Sequence, residues 1–351
     1  MYLLETTVKQ IRPLDKAAMA GAESRQDQLT KPRGSLGTLE KISVQVAGIQ
    51  GRPMPHIKHK AIITMAADHG VVTQGVSLYP QEVTTQMVLN FLKGGAAINV
   101  LARQVGARVV IVDMGVAGKL PADKNIVRKS VGPGTADMCA GPAMTRSQAT
   151  ESLEAGIAIV ESELSNGLDI IGTGEMGIGN TTAASAIVAA VTGKQVASIT
   201  GKGTGIDDEQ LRHKITVIEK ALAVNRPDPE DAIDILSKVG GFEIGGMAGV
   251  ILGGAANHLP VVIDGFISGA AALIATGICP RVRDYLIASH LSVEQGHIAC
   301  LKHLHLNPAF DLNMRLGEGT GAALGIFLAE AALKVLAQMA TFSEAGVSDI
   351  E

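Results

Sequence analysis

The sequence predicts an α/β fold: three αβα layers around a mostly parallel, Rossmann-like sheet, with a small helical lobe attached. Three observations carry this. Short Val- and Ile-rich runs recur along the chain, a helix-length segment follows each, and polar residues collect where the runs end. The runs are Lys60–Ala67, Arg108–Met114, Leu168–Gly172, Val261–Asp264, Tyr285–Ser289 and, with weaker patterning, Phe310–Leu316.

Residues 1–55 hold two expected helices and no convincing strand, so they form the helical lobe. A C-terminal helix over 321–340 is a candidate to complete it. The linker Gly51-Arg52-Pro53-Met54-Pro55 leads into an α/β domain over 56–351. Within that domain helices are expected at Gln81–Leu92, Ala96–Val105, Arg146–Ser165, Thr181–Thr192, Asp207–Val224, Pro229–Val239, Gly246–Asn257, Phe266–Thr276, Val293–Leu304 and Gly321–Met339. Thr145 followed by Gln148 reads as a capping box, and Pro80 ahead of Gln81-Glu82 as a helix start. The stretch Ile244–Ile263 is uncharged, but its glycines with Asn257, His258 and Pro260 suit a buried helix and strand better than a membrane span.

Composition narrows the function. The 351 residues are 46% hydrophobic and 18% charged, enough for a large core. Net charge is −4, with no long basic run, 3% aromatics and no Trp, which argues against nucleic-acid binding. Cys139, Cys279 and Cys300 match no disulfide framework or metal spacing and read as reduced, buried thiols. The start, Met1-Tyr2-Leu3-Leu4-Glu5, lacks the layout of a signal peptide, so a cytoplasmic protein is expected.

Two glycine-rich segments each carry one glutamate: Gly174-Glu175-Met176-Gly177-Ile178-Gly179-Asn180-Thr181-Thr182 and Gly317-Glu318-Gly319-Thr320-Gly321. Each reads as a phosphate cradle opening a helix, with a carboxylate free for acid/base work on a nucleotide-like ligand. The alternative is a tight strand-to-helix connection with no ligand. Accompanying Glu and Thr residues favour the ligand. Neither the dinucleotide fingerprint nor the P-loop is complete here. For Glu318 the competing role is a helix cap, against which its two flanking glycines argue; Glu175 stays open between the two roles. Gly201 to Asp208 is a further flexible loop, and Lys202 or Lys214 is a candidate to neutralise a phosphate. Asp68-His69, Asp113, Glu175, Asp264, Ser289-His290 and Glu318 fall at expected strand ends and point to one shared site. His69 and His290 lack zinc-site spacing and read as structural, so no metal is expected.

With these residues in view, the chain resembles the nicotinate-nucleotide:dimethylbenzimidazole phosphoribosyltransferases of the cobalamin lower-ligand pathway. The resemblance runs through Lys31-Pro32-Arg33-Gly34-Ser35-Leu36-Gly37-Thr38-Leu39-Glu40, Ala67-Asp68-His69-Gly70-Val71 and Pro80-Gln81-Glu82-Val83-Thr84. It continues in Gly94-Gly95-Ala96-Ala97-Ile98-Asn99, the 174–182 segment, Gly203-Thr204-Gly205, Ser289-His290-Leu291-Ser292 with Glu294 to His297, and the 317–321 segment.

That resemblance implies transfer of phosphoribosyl from nicotinate mononucleotide to a ring nitrogen of 5,6-dimethylbenzimidazole, releasing nicotinate with inversion at the anomeric carbon. It implies Glu318 as general base and Glu175 near the ribose. Phosphate contacts are implied at Gly177, Ser292, Gly317 and Lys214, with Gly179, Asn180, Thr181 and Asp264 also among the substrate-binding residues. Pro80 and Gln86 are implied to line the base pocket, although Leu78-Tyr79 departs from what relatives commonly carry there, as does Gln295. A homodimer with no cofactor is expected. A pyridinium leaving group needs no metal-bound pyrophosphate, which agrees with the missing acidic pair before a Thr-Gly-Gly turn. The alternatives are a hydrolase or phosphorylase of nucleotide N-glycosidic bonds and a mononucleotide sensor without turnover.

Overall fold

The computed structural model describes residues 2–203 and 205–348; Met1, Thr204 of the Gly203-Thr204-Gly205 motif, and residues 349–351 lie outside the described residues. Its centre is a parallel sheet of β1 (Lys60–Ala67), β2 (Ala107–Gly115), β3 (Ile126–Arg128), β4 (Ile170–Met176), β5 (Val261–Ile263) and β6 (Leu286–Ala288). The spatial order is β3-β2-β1-β4-β5-β6, so strand order reverses between β1 and β4. Ligands of such sheets bind beyond the strand ends at that reversal.

Alternation along β1 divides the interior. Ile63, Met65 and Ala67 face one core with the helices Arg146–Leu164, Phe242–Ala256 and Phe266–Ile278, while Ile62 and Ala66 face another with Glu82–Lys93, Ala97–Val105 and the C-terminal helix Thr320–Gln338. Every residue of β1 after Lys60 is buried, as expected of a strand covered on both faces. The C-terminal helix is long and apolar enough to cross a membrane, yet 56% of that window is buried inside the fold. The stretch 244–263 is the buried helix and strand anticipated. All three cysteines are free and buried.

Four details differ from the sequence reading. Three helices precede β1, not two: Tyr2–Gln10, Lys16–Gln28 and Thr38–Gln50. Asp15 caps the second by accepting from Ala18 N–H at 2.9 Å, and Gly51 ends the third in the left-handed conformation. The short edge strand β3 carried too little pattern to be seen. Phe310–Leu316 is not a strand; it runs beside the segment after β6 through an isolated bridge between Phe310 and His290 and a bond from Val293 N–H to Met314 O at 3.2 Å.

The fourth difference matters for the site: β4 begins and ends later than Leu168–Gly172 and runs through Glu175. Gly172 and Gly174 look like turn residues but lie in extended strand. A Cβ on Gly172 would press on Ala322 and Ile62 at 3.1 Å, and one on Gly174 would overlap the carbonyl oxygen of Glu318.

Helices Lys16–Gln28 and Thr38–Gln50 pack on each other and on the C-terminal helix, whereas Tyr2–Gln10 lies against Arg146–Leu164 and Phe242–Ala256. Arg25 ties this region down, donating through Nε to Leu336 O at 2.8 Å at the end of the C-terminal helix.

Candidate active site

Beyond the ends of β4, β5 and β6 lies a cavity of about 670 Å³. Of the residues singled out from the sequence, it is lined by Glu175, Gly177, Asn180, Thr181, Asp264, Ser292, Gly317 and Glu318. The 317–319 turn packs directly on the end of β4. A Cβ on Gly317 would overlap Glu175 Oε1, and one on Gly319 would fall 3.2 Å from Gly174 Cα. Much of the glycine content of the two segments therefore serves their approach to each other. The strand end bearing Glu175, from mid-chain, and the turn bearing Glu318, near the C-terminus, meet as a result.

Residues 317, 318 and 319 have φ of +87°, +63° and +95°. That conformation is open to glycine but costs a residue with a Cβ about 1–2 kcal/mol, so Glu318 is held there by its surroundings. Its Oε2 accepts from Ile98 N–H at 3.2 Å, at the first turn of Ala97–Val105, and its carbonyl accepts from Thr64 Oγ1 at 3.1 Å. The C-terminal helix does not present its start as an open phosphate cradle. Asp264 occupies it, accepting through Oδ2 from Gly319 N–H at 3.1 Å and through Oδ1 from Gly321 and Ala322 N–H at 2.7 and 3.1 Å.

Burial raises the affinity of this cluster for protons. Glu175 is pushed up to about 8 by burial and by the negative charges of Asp264 and Glu243, against hydrogen bonds from the Asn180 side chain and the Glu318 backbone. Asp264 is pushed up to about 7 by burial, with three helix amides opposing and Glu318 adding. Burial also raises Glu318, while Ile98 N–H holds it back. A carboxylate so placed is a stronger base than one in water.

At the start of helix Asn180–Thr192, Gly179 is the left-handed cap, and Asn180 Nδ2 donates to Glu175 Oε2. Lys214 is buried one step behind the wall and donates to Thr181 Oγ1 at 2.7 Å. Burial pushes its ammonium down to about 8, with Glu294 acting the other way. Ser292 Oγ accepts from Glu294 N–H at 3.3 Å. Lys202 is paired with Asp208 on the surface instead.

Pro80 and Gln86 are exposed and do not line the cavity; Tyr79, Val83 and Met87 do. The helix Glu82–Lys93 turns its 83/87 face inward, the spacing of one helical stripe, and Gln86 falls outside it. Glu294, His290, Arg315 and Leu316 also line the cavity without having been assigned to a ligand from the sequence. Val83 and Met87 were findable as an i, i+4 pair and Glu294 lies in the 289–297 motif, whereas nothing local marks Arg315.

The shared site is smaller than the strand-end residues suggested. Asp113 caps its own strand end, accepting from Gly115 and Val116 N–H and pairing with Arg128 at 3.3 Å. Asp68 accepts from Ala117 N–H at 2.8 Å. His69, read as structural, is fully buried, and its Nε2 lies 2.6 Å from Glu243 Oε1. Burial alone would lower this imidazole, but the Glu243 carboxylate raises it on balance. Ser289 Oγ donates to Asp264 O at 3.0 Å, beneath the cavity.

A family model described as phosphoribosyltransferase matches residues 11–347. The nicotinate-nucleotide–dimethylbenzimidazole phosphoribosyltransferase of Roseiflexus sp. (strain RS-1) is 62% identical over 348 residues, 99% of either chain. Its namesake from Chloroflexus aggregans is 58% identical over 349 residues, again 99% of both. A crystal structure of the Thermus thermophilus protein of that name superposes with a TM-score of 0.91 at 45% identity, covering 96% of this chain and 100% of the other. Agreement of family model, full-length relatives and fold leads to one conclusion: the chain belongs to the nicotinate-nucleotide–dimethylbenzimidazole phosphoribosyltransferase family.

Proposed function

We propose that this protein transfers the phosphoribosyl group of nicotinate mononucleotide to 5,6-dimethylbenzimidazole, giving α-ribazole 5′-phosphate and nicotinate. The observation that carries the reading is that Glu318 and Glu175 line one cavity together with Tyr79, Val83, Met87 and Leu316, in a chain of this family. Glu318 takes the proton from one ring nitrogen of the benzimidazole as the other attacks C1′. The bond from C1′ to the pyridinium nitrogen breaks, and its electron pair neutralises the ring, so nicotinate leaves without an acid. Attack from the opposite face inverts the anomeric centre. Glu175 lies beside the ribosyl carbon, where a carboxylate stabilises the developing positive charge once it is ionised.

The donor phosphate is assigned to the start of Asn180–Thr192, with Gly177, Gly179 and Thr181, and to Ser292 and Gly317, with Lys214 behind Thr181 supplying positive charge. The acceptor is assigned to the side formed by Tyr79, Val83, Met87 and Leu316. By the same reading the protein is a cytoplasmic homodimer, with residues 1–55 as a small helical lobe docked on the C-terminal helix and 56–351 as its catalytic domain.

Incubating the purified protein with both substrates and separating products by chromatography and mass spectrometry tests the reading. Glu318→Gln should turn over about 10²–10⁴-fold more slowly. The acidic limb of wild-type kcat/KM should sit above the ordinary glutamate range; in the variant the Glu318 step should be lost, leaving only the limb set by ionisation of Glu175. Nicotinate release that does not depend on the benzimidazole would replace the transferase reading with a hydrolase.

A further inference from the structure

Asp264 was expected among the substrate-binding residues, yet both its carboxylate oxygens are engaged by backbone. Oδ2 accepts from Gly319 N–H, and Oδ1 from Gly321 and Ala322 N–H. These amides belong to the first turn of the C-terminal helix, where N–H groups have no partner within the helix. Gly319 and the two residues before it are all in the left-handed region, with Glu318 in the middle. Glycines on either side accept that conformation freely; Glu318 does not.

Asp264 is itself held from two strands. Its carbonyl accepts from Ser289 Oγ at 3.0 Å, just past β6, and its N–H donates to Thr173 Oγ1 at 3.4 Å in β4. Its carboxylate is 2% exposed or less, with His290 Nδ1 3.8 Å away on the remaining side. A Cβ on Gly321 would overlap both Asp264 Oδ1 and His290 Nδ1, so the helix start sits as close to this pair as backbone allows.

We infer that Asp264 is a positioning residue: it ties the start of the C-terminal helix to the sheet and so holds the left-handed turn that aims Glu318 into the cavity. This rests on the reading of Glu318 as the base. Asp264 then acts on the reaction through Glu318 and not by touching substrate. Three hydrogen bonds accepted by one rigid anchor suit that task, because a loose turn would let Glu318 relax to an ordinary backbone conformation and swing its carboxyl away.

The test uses the full-length chain with Asp264→Asn, which keeps shape but offers an amide hydrogen where an N–H donor already points. Steady-state kinetics are measured for Asp264→Asn, Glu318→Gln and the double variant. Asp264→Asn alone should lower kcat by about tenfold or more while donor KM stays within about twofold. In the Glu318→Gln background it should cost almost nothing further, since the two losses share one mechanism. A raised KM for nicotinate mononucleotide with kcat intact, or losses that add independently, would overturn the inference.

Amide hydrogen exchange gives a readout independent of turnover. The amides of 317–322 should exchange faster in Asp264→Asn with the rest of the sheet unchanged; unaltered exchange there refutes the inference even if the wild type proves to catalyse another reaction. Should Asp264→Asn not fold, Ser289→Ala loosens the same anchor more gently. It should show the same kcat and exchange pattern on a smaller scale, and wild-type behaviour would again overturn the inference.

Discussion

Replacing Glu175 with glutamine removes a titration from the middle of the fold, so its effect on stability should change with pH. In the unfolded chain the carboxyl titrates near 4.5, whereas in the folded chain it is pushed up to about 8. Below the lower value both states hold the proton and the group contributes equally to each. Between the two values the unfolded chain has released its proton and the folded chain has not, so stability falls as pH rises, until the folded carboxyl also ionises. The gap of about 3.5 units at about 1.4 kcal/mol each sets a ceiling of about 5 kcal/mol.

Glutamine carries no such titration. It also presents an NH₂ group where one carboxyl oxygen accepted a hydrogen bond, from the Asn180 side chain or the Glu318 backbone, at a pH-independent cost of about 1–3 kcal/mol. The informative quantity is therefore the change in the variant's relative stability with pH. Urea unfolding at about pH 5 and about pH 8 should show Glu175→Gln gaining several kcal/mol on wild type over that interval. A difference that stays constant between the two would refute the claim that Glu175 is held protonated by burial and by the charges of Asp264 and Glu243.

Gly317→Ala should be destabilising by roughly 2–4 kcal/mol, combining the left-handed backbone at φ +87° with overlap on Glu175 Oε1, and should lose most turnover with it. Urea unfolding beside the kinetic assay checks both, and near-wild-type values would show that the turn and β4 are not in close contact. Lys214, pushed down to about 8, is charged below that pH and neutral above it, so wild-type KM for nicotinate mononucleotide should rise as pH passes about 8. In Lys214→Met the same KM should be high throughout and flat across the window, which a pH series of initial rates would show.

Much of the architecture is legible because its signals are local. Lys60–Ala67 is a continuous apolar run of strand length, Arg146–Leu164 opens on a Thr145/Gln148 capping box, and each depends only on neighbours in sequence. The reach of β4 was not legible. Gly172 and Gly174 carry turn chemistry by themselves, and only the C-terminal helix and the Glu318 turn pressing on them make them strand residues.

The site divides the same way. The sequence by itself determined that two glutamates would each lie in a glycine-rich segment at the edge of a parallel sheet, and its motif order was enough to point to the family. Tertiary structure decided what those glycines do: they let the 174–176 strand end and the 317–319 turn meet, and the helix start that looked like an anion cradle is already filled by Asp264 from just past β5. It also decided that Val83 and Met87, not Pro80 and Gln86, face the cavity, and that Asp68 and Asp113 stay outside it. Spacing along a chain specifies which face of one element is apolar. It does not specify which carboxylate from another element will reach a given set of amides, because that depends on how helices and strands far apart in sequence are packed.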